Sequence, residues 1–321
     1  MRTFFAIMFV CLSVSAVAAP PPPPPPPPVS EPSVQPREDV PEVLSASDCG
    51  HPNKITCSLV ILPIASLLLP GLGQYWDGQT GWPYTLAAAA GLGGATAAVA
   101  NTEGALVITQ PRAQLFLLGA QLWIDASLLS AYETYRHRVV DRVGFQDDLS
   151  TVPEVLIAPF DVRALARLRV LIPFLVIGAA GLGSAFVDED GMTYESAPFE
   201  DFRVTDGLFA FGVSYGAGVG EEAFFRGYVM HGFDRVVGMH PLLANTLQAS
   251  MFATAHADFS WGFLVRMAFG MYTGWLTQAD DYNLRDAIFL HTWWDVFVFV
   301  GTVATSRRNG TATLSLPAIR F

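Results

Sequence analysis

Charge is scarce in this chain: only 15% of its 321 residues are Asp, Glu, Lys or Arg, against about 25% in an average soluble domain. Basic residues are scarcer still, 18 against 29 acidic ones, for a net charge of −11. That balance excludes a nucleic-acid partner, because neutralising phosphates takes clustered Lys and Arg. Cysteine is nearly absent, with three in all. Cys11 lies in the first apolar run, which leaves Cys49 and Cys57 as one candidate disulfide if their segment is exported; two free thiols are the alternative. A metal site there has only His51 to draw on. No internal repeat is evident, and Ser214, Ser250 and Ser260 stand in no nucleophile motif.

Apolar residues are abundant, at 51%, with a mean hydropathy of +0.37. The chain therefore reads as all-α, a polytopic membrane helical bundle. Apolar runs at Leu59–Leu69, Tyr84–Ala100, Ala113–Ala131, Val170–Val187, Gly207–Val219, Pro241–Ala255, Gly262–Leu276 and Ala287–Ala304 predict about seven or eight spans. Residues 1–18 have the charged start, apolar core and small-residue end of a signal peptide. The alternative is an uncleaved anchor. Residues 19–58, with an unbroken proline tract from Pro20 to Pro28, form an exported linker. Residues 59–140 are expected to be accessory transmembrane helices, residues 165–305 the functional core, and residues 306–321 a tail whose alternation suggests a strand.

The loop from Tyr132 to Arg169 carries Arg136, Arg138, Arg142, Arg163, Arg167 and Arg169, which puts it in the cytoplasm by the positive-inside tendency. Counting back through three spans leaves the mature N-terminus outside, as a protein of a bacterial inner membrane would have it. Counting forward leaves Arg307 and Arg308 outside as well, so a miscounted or re-entrant segment is expected around Glu221.

Ionisable groups inside three apolar stretches demand a reason, since a charge at the bilayer centre costs at least about 2.5 to 3.5 kcal/mol. Glu222 and Arg226 are four apart and can pair on a helix, which leaves Glu221 available as a proton acceptor. Gly216, Gly218 and Gly220 ahead of it suggest close packing and a break that admits water. His256 ends the run that contains Phe252; His291 opens another, with Asp295 four residues on. A glutamate and a histidine can activate water, and a second histidine with a donor can hold the oxyanion, which together describe peptide hydrolysis. The alternatives are a buried polar network that holds helices together, a zinc site lacking the His-Glu-x-x-His signature, and a proton-relaying transporter without the expected repeated halves.

Glu221-Glu222-x-x-x-Arg226, Phe252-x-x-x-His256 and His291-x-x-x-Asp295 resemble, in order, the three motifs of the CPBP intramembrane proteases, which include the CAAX prenyl endopeptidases and the bacterial Abi proteins. The resemblance covers about residues 165 to 305. It implies an endopeptidase acting without metal or cofactor on a membrane protein or peptide in the lipid bilayer. Glu221 and His256 would activate water, His291 and position 295 would form the oxyanion site, and Glu222, Arg226 and Phe252 would support them. Asp295 departs from the asparagine of the CAAX enzymes and donates only when protonated; orienting His291 is its other possible role. Family members range over prenylated proteins, bacteriocin leaders and C-terminal sorting signals. The signal peptide favours an envelope sorting role, and a catalytically inactive scaffold or immunity protein is the alternative.

Overall fold

The computed structural model describes residues 55–100, 107–143, 147–183, 201–257 and 259–309. The signal peptide, linker residues 19–54 with Cys49, and residues 310–321 lie outside that set, whereas residues 55–58 of the expected linker, Cys57 among them, begin the first helix. Among the described residues ten α-helices form the structure: α1 (Ile55–Leu68), α2 (Leu72–Trp76), α3 (Trp82–Ala100), α4 (Pro111–Arg136), α5 (Val152–Ile157), α6 (Leu168–Gly183), α7 (Val204–Glu222), α8 (Pro241–Ala255), α9 (Trp261–Ala279) and α10 (Arg285–Asn309). The last helix thus takes in the first residues of the expected tail.

Two helical stretches, Pro111–Val140 and Arg285–Arg307, are long and apolar enough to cross a bilayer unaided; Leu59–Leu68 and Leu168–Gly183 are apolar but shorter. A membrane bundle is consistent with this set. Each expected apolar run lies wholly or mostly in a helix. Helix starts follow local chemistry: Pro111 and Pro241 occupy first turns, where a missing N–H costs nothing, and Ser260 Oγ accepts from Gly262 N to cap α9.

Close contacts fix helix direction. Residues 93 and 97 of α3 meet 123 and 119 of α4, so the two are antiparallel. Residues 118, 125 and 132 of α4 meet 212 and 216–220 of α7 and 227 of the helical turns that continue it, so these run parallel. Asp206, Gly218 and Glu222 of α7 meet Arg307, Thr292 and His291 of α10, which is antiparallel. α8 opposes both α7, through the Glu221–His256 and Phe225–Phe252 contacts, and α9, where residues 245–252 meet 274–270. α6 runs with α10, since Phe174 packs on Phe289 and Gly181 on Phe297. The seven longer helices from α3 onward therefore alternate in direction.

No re-entrant break occurs around Glu221: α7 continues unbroken into wider, π-type turns at Ala223–Met230 and Gly232–Val236. Arg307 lies at the end of the bundle away from the Arg-rich loop. Its guanidinium forks onto the buried carboxylate of Asp206 at 2.7 and 2.9 Å. At the other end three of the loop arginines are paired in the same way. Arg138 meets Asp77 at 2.5 Å, Arg167 meets Asp286 at 2.7 Å, and Arg169 meets Asp280.

Candidate active site

The glycines before Glu221 let three helices close together. A methyl group at Gly218 would sit 2.8 Å from the backbone N of Thr292 on α10. At Gly216 it would overlap the Asp125 carboxylate of α4, and at Gly220 it would lie 3.1 Å from the Asp125 Cα. Close packing, without a helix break, is what these glycines provide.

Glu222 and Arg226 follow on the inner face, both with side chains 0% exposed, and Arg226 Nη1 lies 3.1 Å from Glu222 Oε1. The pairing matters, because a charge stranded in such a place costs several kcal/mol. The Arg226 guanidinium also stacks over Phe252, 4.5 Å from the ring centroid, and Nη2 reaches the Gly270 carbonyl at 3.4 Å. Phe252 in turn packs edge-on against His256 and His291. One aromatic ring therefore holds the supporting arginine and both histidines in register.

Three helices deliver the polar set. Glu221, from α7, places Oε2 at 3.8 Å from His256 Nε2 and 3.9 Å from His291 Nε2. His256 stands at the end of α8, where Ala257 adopts a left-handed φ of 50° and turns the chain away. Its Nδ1 lies 2.8 Å from the Phe252 carbonyl. A carbonyl only accepts, so Nδ1 donates and the neutral ring presents Nε2 as an acceptor. His291, on α10, has Nδ1 2.6 Å from Glu222 Oε1 and Nε2 3.5 Å from Asp295 Oδ2. Glu222 rather than Asp295 thus makes the orienting carboxylate–histidine bond. Phe269 of α9 backs the His291 ring at 5.1 Å.

Burial is graded across the set. His291 is 3% exposed as a residue, whereas the His256 side chain is 31% exposed and that of Glu221 17%. Glu221 Oε2 is nevertheless buried as an atom and has no hydrogen-bond partner among the described residues. No group of three or more His, Cys, Asp or Glu among the described residues is arranged to hold a metal ion.

The structure brings together all seven residues singled out from the membrane motifs. It also adds two that the motifs do not contain: Asp125 on α4 and Arg266 on α9, both within electrostatic reach of Glu221. Arg266 precedes Phe269 and Gly270 by three and four residues, the spacing of one helix face, and that periodicity was its only sequence signal.

Residues 204–297 match a family model, that of the Rce1-like type II CAAX prenyl endopeptidases. Neither a curated protein nor a solved structure matches the chain. The match and the apolar helices together support an integral membrane protein with a segment similar to the CAAX-type proteases. The matched segment carries Glu221, His256, His291 and Asp295, and it is similar to the CAAX-type prenyl endopeptidases.

Proposed function

We propose that the protein is an intramembrane endopeptidase that hydrolyses a peptide bond of a membrane-associated protein with a water molecule activated by Glu221 and His256. The convergence of Glu221 Oε2 on two histidine nitrogens, within 3.9 Å of each, carries this reading. One water, hydrogen-bonded at about 2.8 Å to each partner, can span the gap between Glu221 Oε2 and His256 Nε2. Its oxygen attacks the scissile carbonyl carbon while its proton passes to Glu221. The carbonyl oxygen, now negative, turns towards His291 Nε2, and a doubly protonated His291 donates there while its Nδ1–H stays on Glu222. Asp295, at the same nitrogen, joins the oxyanion site in its protonated form. Collapse of the tetrahedral species breaks the C–N bond, and the proton on Glu221 moves to the leaving amine.

The scaffold alternative is not favoured, because residues 204–297 match a family of endopeptidases. The substrate we propose is a bacterial envelope protein whose C-terminal anchor or sorting helix is removed, with the mature N-terminus of the protease outside an inner membrane.

The test compares membrane proteomes of cells carrying wild type or Glu221→Gln at matched abundance. Peptides with new C-termini should appear only with wild type, and the variant should fold as well. Arg226→Ala serves as contrast, since it strands Glu222 and should cost about 3 to 5 kcal/mol of stability. Identical proteomes alongside a well-folded Glu221→Gln protein would reject the hydrolytic reading.

A further inference from the structure

Asp125 is the only charged residue between Arg112 and Glu133 of α4, and neither the motifs nor the matched segment includes it. An apolar helix accepts a lone carboxyl at a cost, so its surroundings should reveal what holds it there. They are specific. Gln121 Nε2, one turn back, donates to Oδ1 at 2.8 Å. The side chain then fills the groove that Gly216 and Gly220 leave open on α7: a Cβ at Gly216 would lie 1.8 Å from Oδ2, and one at Gly220 2.9 Å from Oδ1. Any larger residue at those two positions would displace it. Gly220 is bonded directly to Glu221, and Asp125 lies within electrostatic reach of both Glu221 and His291.

We infer that Asp125 is a positioning residue charge-coupled to Glu221, so that a proton held by one carboxyl alters the proton held by the other. Two carboxyls set close together in a poorly hydrated site do not ionise independently. During hydrolysis Glu221 takes a proton from water and returns it to the amine. A neighbouring acid that shares in that exchange sets how readily Glu221 gives the proton back. The other charged groups around Glu221 are Glu222 and Arg226 of α7, His256 of α8, Arg266 of α9, and His291 and Asp295 of α10. All of these lie in the matched segment. Asp125 alone comes from the region expected to be accessory.

The catalytic meaning of this coupling rests on the hydrolytic reading, but the coupling can be measured without a substrate. Dicyclohexylcarbodiimide adds to carboxyls that carry a proton, and mass spectrometry reads the adduct at each position in the full-length protein. Between about pH 5 and 9, Asp125→Asn should lower Glu221 labelling by about threefold or more, because a competing negative charge is gone. Asparagine keeps the volume and the oxygen that Gln121 bonds, so a purely structural Asp125 would leave the labelling unchanged. Coupling is reciprocal, so Glu221→Gln should lower Asp125 labelling by a similar factor. That arm stands alone if Asp125→Asn does not fold. Unchanged labelling in the folded variants would overturn the inference, even where wild type cleaves substrates. Coupled labelling would uphold it, even if no substrate is cut and the hydrolytic reading fails.

Discussion

Asp295 is the residue whose chemistry decides most about the site. At 3.5 Å from His291 Nε2, a carboxylate there opposes an oxyanion, whereas its protonated form or an amide donates to it. Asp295→Asn should therefore keep or raise the yield of cut peptides and make cleavage less dependent on low pH. A loss of more than about a hundredfold would show that Asp295 moves a proton itself. A second carboxylate, Asp147, governs acid stability outside the membrane. His231 Nε2 donates to Asp147 Oδ2 at 2.9 Å while His231 Nδ1 meets the Tyr135 hydroxyl at 2.7 Å. The bond from His231 holds the Asp147 carboxyl below its ordinary range. A depressed folded-state value stabilises the fold above about pH 4, the unfolded value, and that contribution disappears as pH falls through the folded one. Melting temperature in detergent should thus drop more steeply on acidification for wild type than for Asp147→Asn. Parallel curves would mean that the His231 bond contributes nothing.

The helices show how much of this was legible beforehand. Each membrane motif could be read because an ionisable residue stood in an apolar run at helical spacing from a partner, as with Glu222 and Arg226. Asp125 stood alone as a charge in its run; Gln121 lies one turn back, but the glycines that make its groove are on another helix, which no spacing reveals. The glycines themselves were ambiguous: Gly216, Gly218 and Gly220 fit either a break or a close approach, and only their neighbours in space decide. The count of spans was illegible for another reason, since α8 is shorter than a bilayer crossing and α9 is long enough but not apolar enough to qualify by itself, and both pack on their neighbours. Close approach at Gly218 is testable. A methyl group 2.8 and 2.9 Å from the Thr292 N and Cα has backbone on its far side and cannot be accommodated by a side-chain turn. Gly218→Ala should cost about 1 to 3 kcal/mol and push Glu222 away from His291, so that both melting temperature and cleavage fall. A variant as stable and active as wild type would mean that α7 and α10 tolerate a wider spacing.

The matched segment is not packed on itself alone, because α4 is built into it. Leu129, Tyr132 and Tyr135 of α4 share one buried cluster with Val219, Ala223 and Met230 of the α7 helix and with Ile288 of α10. The Tyr132 ring lies so close to Gly227 that a Cβ there would be 2.3 Å from it, and its hydroxyl donates to the Ser150 carbonyl. α4 is anchored in turn by polar contacts to the first helices. Thr134 Oγ1 meets Ser66 Oγ at 2.8 Å, and Ser130 Oγ accepts from Gly71 N and donates to Gln74 Oε1. Removing α1 to α4 would therefore expose the apolar face of α7 and unseat Asp125 from its groove, while leaving every motif residue in the chain. Residues 147–309 expressed alone should be rapidly degraded or aggregate in detergent. Co-expression with residues 55–143 as a separate chain should restore a monodisperse species, since the contacts between the two pieces are made by packed side chains and not by the connecting loop. Size-exclusion chromatography and limited proteolysis read both outcomes. A stable, monodisperse 147–309 fragment would mean that α7, α8, α9 and α10 hold the site together without the accessory helices.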